Sequence, residues 1–390
     1  MNYPFSFFDE VIDRSGTSSV KYDDRNRVFG EPDVLPMWIA DMDFRIAKEI
    51  SDAVKKRAEH EVYGYAYHPQ SFYQSAVDWA QRRHHWTIQP EWLSFSPGIV
   101  AALNISVLAF TEPGDRIVIQ TPVYAPFFTA ISDHNREIVR NPLVRNNNRY
   151  EMDLDHLESI IDPRTKMLIL CHPHNPVGRV WTRQELERLA EICVRHRLIV
   201  VCDLIHSDLI LHHQPCPAFA DISPEMESLT LSLIAASKTF NIAGLSTSLI
   251  FTANPALKLK FDRVRDHLHI SSGNIFGTVA LEAAYKHGDA WLDGLIRYLN
   301  ANFDILDEWT KRAPYVKYIR SEGTYLAWLD FSPSGFSGNE LYDNIIRKAK
   351  VGMNKGREFG VEGESFMRMN LACPASVVRQ AIRQIDEIFK

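Results

Sequence analysis

Three short apolar runs in this chain end on side chains that can do chemistry. Ser237-Lys238 follows Leu229–Ala236, Asp203 follows Ile199–Cys202 with His206 three residues on, and His172-Pro173-His174-Asn175-Pro176 follows Lys166–Cys171. A fourth point, Ser96-Pro97-Gly98, comes just before a helical pattern that starts at Ile99. In an open α/β sheet, ligands bind beyond the carboxyl ends of the strands, so these points should converge on one site. A lysine amine can form a Schiff base with a carbonyl and move protons at the adjacent carbon. A carboxylate can keep a ring nitrogen protonated, so that the ring draws in electrons. Asparagine and histidine can donate to a phenolic oxygen, and a helix opened by glycine can hold a phosphate. Together these are the demands of a pyridoxal 5′-phosphate (PLP) site.

The elements that must position these residues are legible in the pattern. Apolar runs at Arg116–Gln120, Lys166–Cys171, Arg197–Cys202, Leu229–Ala235 and Thr247–Phe251 fit buried strands of a mostly parallel sheet. Helical spacing marks Ile46, Ile50 and Val54, a stretch over about 71–85, and Ile99 to about Phe110. Thr182–His196 reads as a helix with Thr182 as N-cap and Glu185 three residues later, a capping box. The pattern changes near residue 285: helices at Trp291–Trp309 and Asn339–Ala349 alternate with Gly323–Phe331 and Phe366–Asn370, and a last helix runs to the terminus. The expected organisation is an α/β fold with three parts. Residues 1–45 form an N-terminal arm joining the small domain, 46–284 a large cofactor-binding domain, and 285–390 a small α+β domain.

The 390 residues are 45% hydrophobic and carry a net charge of −6, which disfavours a nucleic-acid partner. Five scattered cysteines with no Cys-x-x-Cys suit a reducing compartment. The opening MNYPFSFFDE lacks the basic start and apolar stretch of a signal peptide, and no run of about 18 apolar residues marks a membrane span. The expectation is a cytoplasmic enzyme with no membrane partner.

The stretches SPGIVAAL, PVYAPF, HNPVGR, CDLIHSD, SKTFNIAGL and FMRMN resemble, in order and spacing, the class I/II aminotransferases of the fold-type I PLP-dependent superfamily. WIADMDF, YGYAYHP, IHSD and GTYLAWLD resemble, within it, the MalY/PatB-type C–S lyases, the cystathionine β-lyases. The match covers essentially the whole chain. It implies a large, mostly parallel sheet flanked by helices, a smaller α+β domain, and a homodimer with shared active sites. It also implies α,β-elimination of L-cystathionine or a related cysteine thioether to thiol, pyruvate and ammonia. By the same resemblance, Lys238 binds PLP and acts as general base and acid, and Asp203 pairs with the pyridinium nitrogen. Asn175 and His206 bond O3′, and Tyr124 stacks on the ring. The backbone N–H groups of Ile99 and Val100, with the Ser237 hydroxyl, hold the phosphate, helped by Tyr65 of the neighbouring subunit. Arg368 clamps the substrate carboxylate, with Ala40 and Asn175 beside it.

Some positions depart from the superfamily's pattern. Ser246 stands where aminotransferases commonly place a phosphate arginine, and Ala235 where they often have serine, so the phosphate site is expected to be less cationic. Leu204 and His172 stand where relatives usually have Glu and Asn. Taken singly, Asp203 also reads as a helix N-cap, Arg368 as a surface ion pair, and Tyr124 as core packing. Three further readings compete. An aminotransferase using 2-oxoglutarate would need the same residues. His172-x-His174 with Asp203 and His206 resembles a metal cluster of a hydrolase, but that leaves Lys238, Asn175 and the Gly98 helix start without roles. A regulatory binding protein would be free to lose residues that this chain keeps.

Overall fold

The computed structural model describes residues 3–146, 149–211 and 214–389. Its centre is a seven-stranded sheet in the spatial order Leu93–Ser96, Ser248–Phe251, Thr230–Ile234, Ile199–Asp203, Thr165–Cys171, Arg116–Ile119, Glu137–Arg140. Ser248–Phe251 runs antiparallel to both of its neighbours, and the other neighbouring pairs are parallel. This is the mostly parallel sheet expected from the apolar runs. Both faces are covered, which is why the strands read as continuous apolar runs rather than as alternating ones. Ile117, Ile119, Met167, Ile169, Val201, Leu231, Leu233 and Ile250 pack with the Ile99–Phe110 helix on one side. Their sequence neighbours Val118, Leu168, Leu170, Val200, Cys202, Leu249 and Phe251 point the other way, into the larger core.

Two strands escaped the pattern reading. Leu93–Ser96 is only four residues long and ends at the turn before Ile99, and Glu137–Arg140 has a charge at each end. Charged ends on an edge strand limit pairing with other chains, and they also hide the strand from an apolar count. The Arg183–His196 helix has the expected capping box: the Thr182 hydroxyl accepts from Glu185 N–H, and the Glu185 side chain accepts from Thr182 N–H.

Beyond the sheet, the 24-residue helix Asp289–Arg312 leads to a four-stranded antiparallel sheet. Its order is Lys317–Tyr318, Leu326–Asp330, Phe366–Asn370, Asn354–Lys355. The expected helix at Asn339–Ala349 is α-helical only over Gly338–Asp343 and then widens into a π turn over Asn344–Lys348. The arm reaches this unit by pairing Leu35–Pro36 in parallel with Val351–Gly352. Among the described residues, no helix is long and apolar enough to cross a membrane.

Candidate active site

Strand register brings the chemistry together. Cys171 lies opposite Asp203 and Asp203 opposite Leu233, so three adjacent strands end level. The chain then leaves each strand under control: His172 N–H donates to the Asp203 carbonyl and Leu204 N–H to the Leu233 carbonyl, both at 2.9 Å. The short helix Ala236–Thr239 follows directly and carries Lys238. Across the opening, Gly98 starts the Ile99–Phe110 helix at φ 143°, a conformation that side-chain-bearing residues rarely adopt.

A cavity of about 360 Å³ lies over these ends. It is lined by Ala40, Ile99, Val100, Tyr124, Asn175, Asp203, His206, Ser237, Lys238 and Arg368, with Trp38, Ile39, Ser246, Thr247 and Asn354 among the others. Tyr65 is not among them: within this chain it is fully exposed and does not line the cavity. Asn354 was invisible to sequence reasoning, because it sits on a two-residue strand with no apolar run to announce it.

Burial sets the electrostatics. Asp203 is 3% exposed and its Oδ1 accepts from Ile205 N–H at 3.0 Å. Desolvation outweighs that bond and the nearby Lys238 charge, raising the carboxyl to about 7. Desolvation likewise lowers the Lys238 ammonium to about 8, and its Nζ donates to the Ala40 carbonyl. His206 is pushed down to about 3, first by burial and then by the Lys238 and Arg368 charges, so it is neutral, and its Nδ1 is buried without a hydrogen-bond partner among the described residues. Burial also lowers Arg368 to about 10. Its Nη1 donates to Asn175 Oδ1 at 3.0 Å and its Nη2 to Asn354 Oδ1 at 2.7 Å, Phe359 lies 4.7 Å beneath the guanidinium, and Nε has no hydrogen-bond partner among the described residues.

This donor set fits PLP. A buried carboxyl that is costly to ionise alone would be stabilised as a carboxylate by a protonated ring nitrogen. An orphaned histidine nitrogen is available as a donor, and a low-pKa amine as the covalent anchor. For the phosphate there are the Ile99, Val100 and Ala101 N–H groups at an uncapped helix start, with the Ser237, Ser246 and Thr247 hydroxyls nearby. Among the described residues lining the cavity, Lys238 and Arg368 are the only lysine and arginine, so the phosphate end has no arginine of its own.

The same geometry speaks against the metal-cluster alternative. His172 Nε2 bonds the Pro217 carbonyl at 3.1 Å and His174 Nε2 the Pro122 carbonyl at 2.9 Å, each buried and held neutral, with burial lowering both to about 4. Their rings are committed to the core, and neither lines the cavity with Asp203 and His206.

Fold and site together define an enzyme of the PLP-dependent, aminotransferase-like class. Residues 36–385 match the model of the aminotransferase class I and II family, and the chain belongs to that family. Within it, the chain is 41% identical over 380 residues to cystathionine beta-lyase PatB of Bacillus subtilis (strain 168), covering 97% of this chain and 98% of that protein. Cystalysin from Treponema denticola, solved with PLP, superposes with a TM-score of 0.95 at 34% identity, covering 98% of each chain. A PLP-bound C-S lyase from Staphylococcus hominis does so with a TM-score of 0.92 at 30% identity, covering all of this chain and 98% of that one.

Proposed function

We propose that this chain is a PLP-dependent carbon–sulfur β-lyase that cleaves L-cystathionine or a related cysteine thioether to thiol, pyruvate and ammonia. The observation that carries the reading is a single buried cavity holding Lys238, Asp203 and Arg368. The relatives named above turn it towards elimination rather than amino transfer.

Lys238 would hold the cofactor through Nζ, and Asp203 would face its ring nitrogen. His206 and Asn175 would donate to its phenolic oxygen, and Tyr124 would cover its face. Ile99, Val100 and Ser237 would hold its phosphate. When bound, PLP supplies the electron sink that lets a proton leave the substrate Cα. Arg368 binds the substrate α-carboxylate and thereby fixes the direction of the Cα–H bond, with Ala40 and Asn175 bordering the same pocket. Lys238 Nζ, lowered to about 8, has a neutral fraction near physiological pH and takes that proton. Loss of the proton from Cα allows the Cβ–S bond to break: the sulfur leaves as a thiolate, the proton taken up by Lys238 converts it to the thiol, and one water is consumed in releasing pyruvate and ammonia.

The 1–45 arm, the 46–284 large domain and the 285–390 small domain would enclose the site. The Leu35–Val351 pairing supports the arm's place in the small domain. The unit of function would be a cytoplasmic homodimer. In support, all five cysteines are free and four of them buried, and Val62, Tyr63, Tyr65 and Tyr67, within one six-residue stretch, are each exposed.

Product identity tests the reaction. With cystathionine as substrate, pyruvate, ammonia and thiol should appear in equal amounts. Faster formation of glutamate from 2-oxoglutarate and an amino donor, with no thiol released, would overturn the lyase in favour of an aminotransferase.

A further inference from the structure

Asn354 joins three segments at the edge of the cavity. Its Oδ1 accepts from Arg368 Nη2 at 2.7 Å and from the backbone N–H of Ile39 at 3.3 Å, and its Nδ2 donates to Glu358 Oε2 at 3.1 Å. The partners of Oδ1 are obligate donors and the partner of Nδ2 is an acceptor-only carboxylate, so the amide has one satisfactory orientation. Glu358 thus holds the carbonyl end of Asn354 towards the guanidinium. Asn175 takes the other Nη, Phe359 lies below, and Nε has no hydrogen-bond partner among the described residues.

We infer that Asn354, locked by Glu358, is a positioning residue that aims Arg368 at the carboxylate of the amino-acid substrate. This rests on Arg368 being the carboxylate clamp of the function proposed above. A bidentate guanidinium–carboxylate pair needs the fork held in plane with its target, and two asparagine oxygens, one on each Nη, define that plane. The bond from Ile39 N–H ties the same asparagine to the arm that crosses the cavity. Substrate carboxylate, arm and clamp therefore share one fixed point.

The test uses the PLP-loaded protein and two probes that differ by one carboxylate, glycine and methylamine, with binding followed by the change in cofactor absorbance. Asn354→Ala should raise the glycine Kd at least tenfold, while the methylamine Kd and the Kd for PLP itself each move less than twofold. Asn354→Asp, which keeps the shape but puts a competing negative charge on Arg368, should raise the glycine Kd further and again spare methylamine. If the alanine variant does not fold, the near-isosteric aspartate variant decides. A glycine Kd within twofold of wild type overturns the assignment. So does equal weakening of both probes, which would mean a general structural role. Neither measurement requires thioether cleavage, so a failure of the lyase reading in the product assay is separate from a failure here.

Discussion

Asp203 is the residue at which burial and chemistry are most clearly opposed. At 3% exposure the carboxyl is raised to about 7, so on its own it gains little from the fold by ionising. Opposite a protonated ring nitrogen the same burial strengthens the attraction, because little water screens it. A hydrogen bond to a charged group contributes on the order of 1.5–3 kcal/mol, and about 2.7 kcal/mol is two decades in rate. Asp203→Asn keeps the size and the acceptor for Ile205 N–H but loses the charge. It should lower kcat by roughly 10- to 150-fold while the protein still folds; a kcat within threefold of wild type would sink the role. Lys238, Asp203 and Asn175 could be picked out from sequence because each closes or follows an apolar run, and parallel strands in register end at one edge. Asn354 could not: it lies between Lys350 and Gly363, where glycines and charges leave no periodicity, and its role depends on contacts to residues 39, 358 and 368.

At the scale of elements, the strands position the lysine and the arm covers it. Residues 37–44 are clasped from two sides. Asn241, three residues after Lys238, donates to the Met42 and Phe44 carbonyls at 2.9 and 3.0 Å and accepts from Met42 N–H at 2.9 Å. Asn370 donates to the Ile39 and Asp41 carbonyls at 2.8 and 2.6 Å. The Ala40 carbonyl is thereby held where Lys238 Nζ and the Tyr325 hydroxyl both donate to it. Behind the arm is an ionic cluster: Lys21, 1% exposed, meets Asp43 at 2.8 Å, and Arg14 meets Asp41 and Asp43 at 2.7 Å each. Removing one partner of a buried ion pair leaves the other charge desolvated, at a cost of about 3–5 kcal/mol. Asp43→Ala should destabilise the protein by about that much in chemical denaturation. The exposed helix pair Lys48–Asp52 offers the contrast: Asp52→Ala should cost less than about 1 kcal/mol. A cost for Asp43→Ala as small as that for Asp52→Ala would show that the cluster does not anchor the arm. None of this was legible from periodicity. The strands followed from apolar runs because burial on both faces demands them, whereas WIADMDF stood out by resemblance: its Trp38, Met42 and Phe44 are buried, and its hydrogen bonds reach residues hundreds of positions away, which no local spacing records.

For the whole molecule, the question is what completes the phosphate end of the cavity. One chain offers a helix start and hydroxyls there but no arginine, and a helix dipole is typically worth about 0.3–1 kcal/mol to an anion. The same chain presents a loop whose base is fixed and whose tip stands exposed. His68 stacks on Phe95 and Phe72 at 4.3 and 4.8 Å between ring centroids, and the Tyr63 hydroxyl donates to the Ala58 carbonyl at 2.8 Å. Tyr65 and Tyr67 project beyond, exposed. A spacing pattern cannot separate such tyrosines from core ones, so the role of Tyr65 followed from family resemblance, and only the fold reveals their exposure. A second copy related by a twofold axis would bury these tyrosines and bring a phenol to each phosphate site, a symmetric and closed arrangement. The prediction is a complementation. Lys238→Ala removes the amine from its own site but still supplies Tyr65, and Tyr65→Ala does the reverse. In a hybrid dimer the site that keeps Lys238 receives an intact Tyr65, and the other site has neither. Random reassortment makes half the dimers hybrid, each with one good site, so mixing two nearly inactive variants should restore about a quarter of wild-type activity. Size measurement at assay concentration should show dimers throughout. A fully active monomer, or hybrid dimers that form without any recovery of activity, would place the phosphate's partners within a single chain.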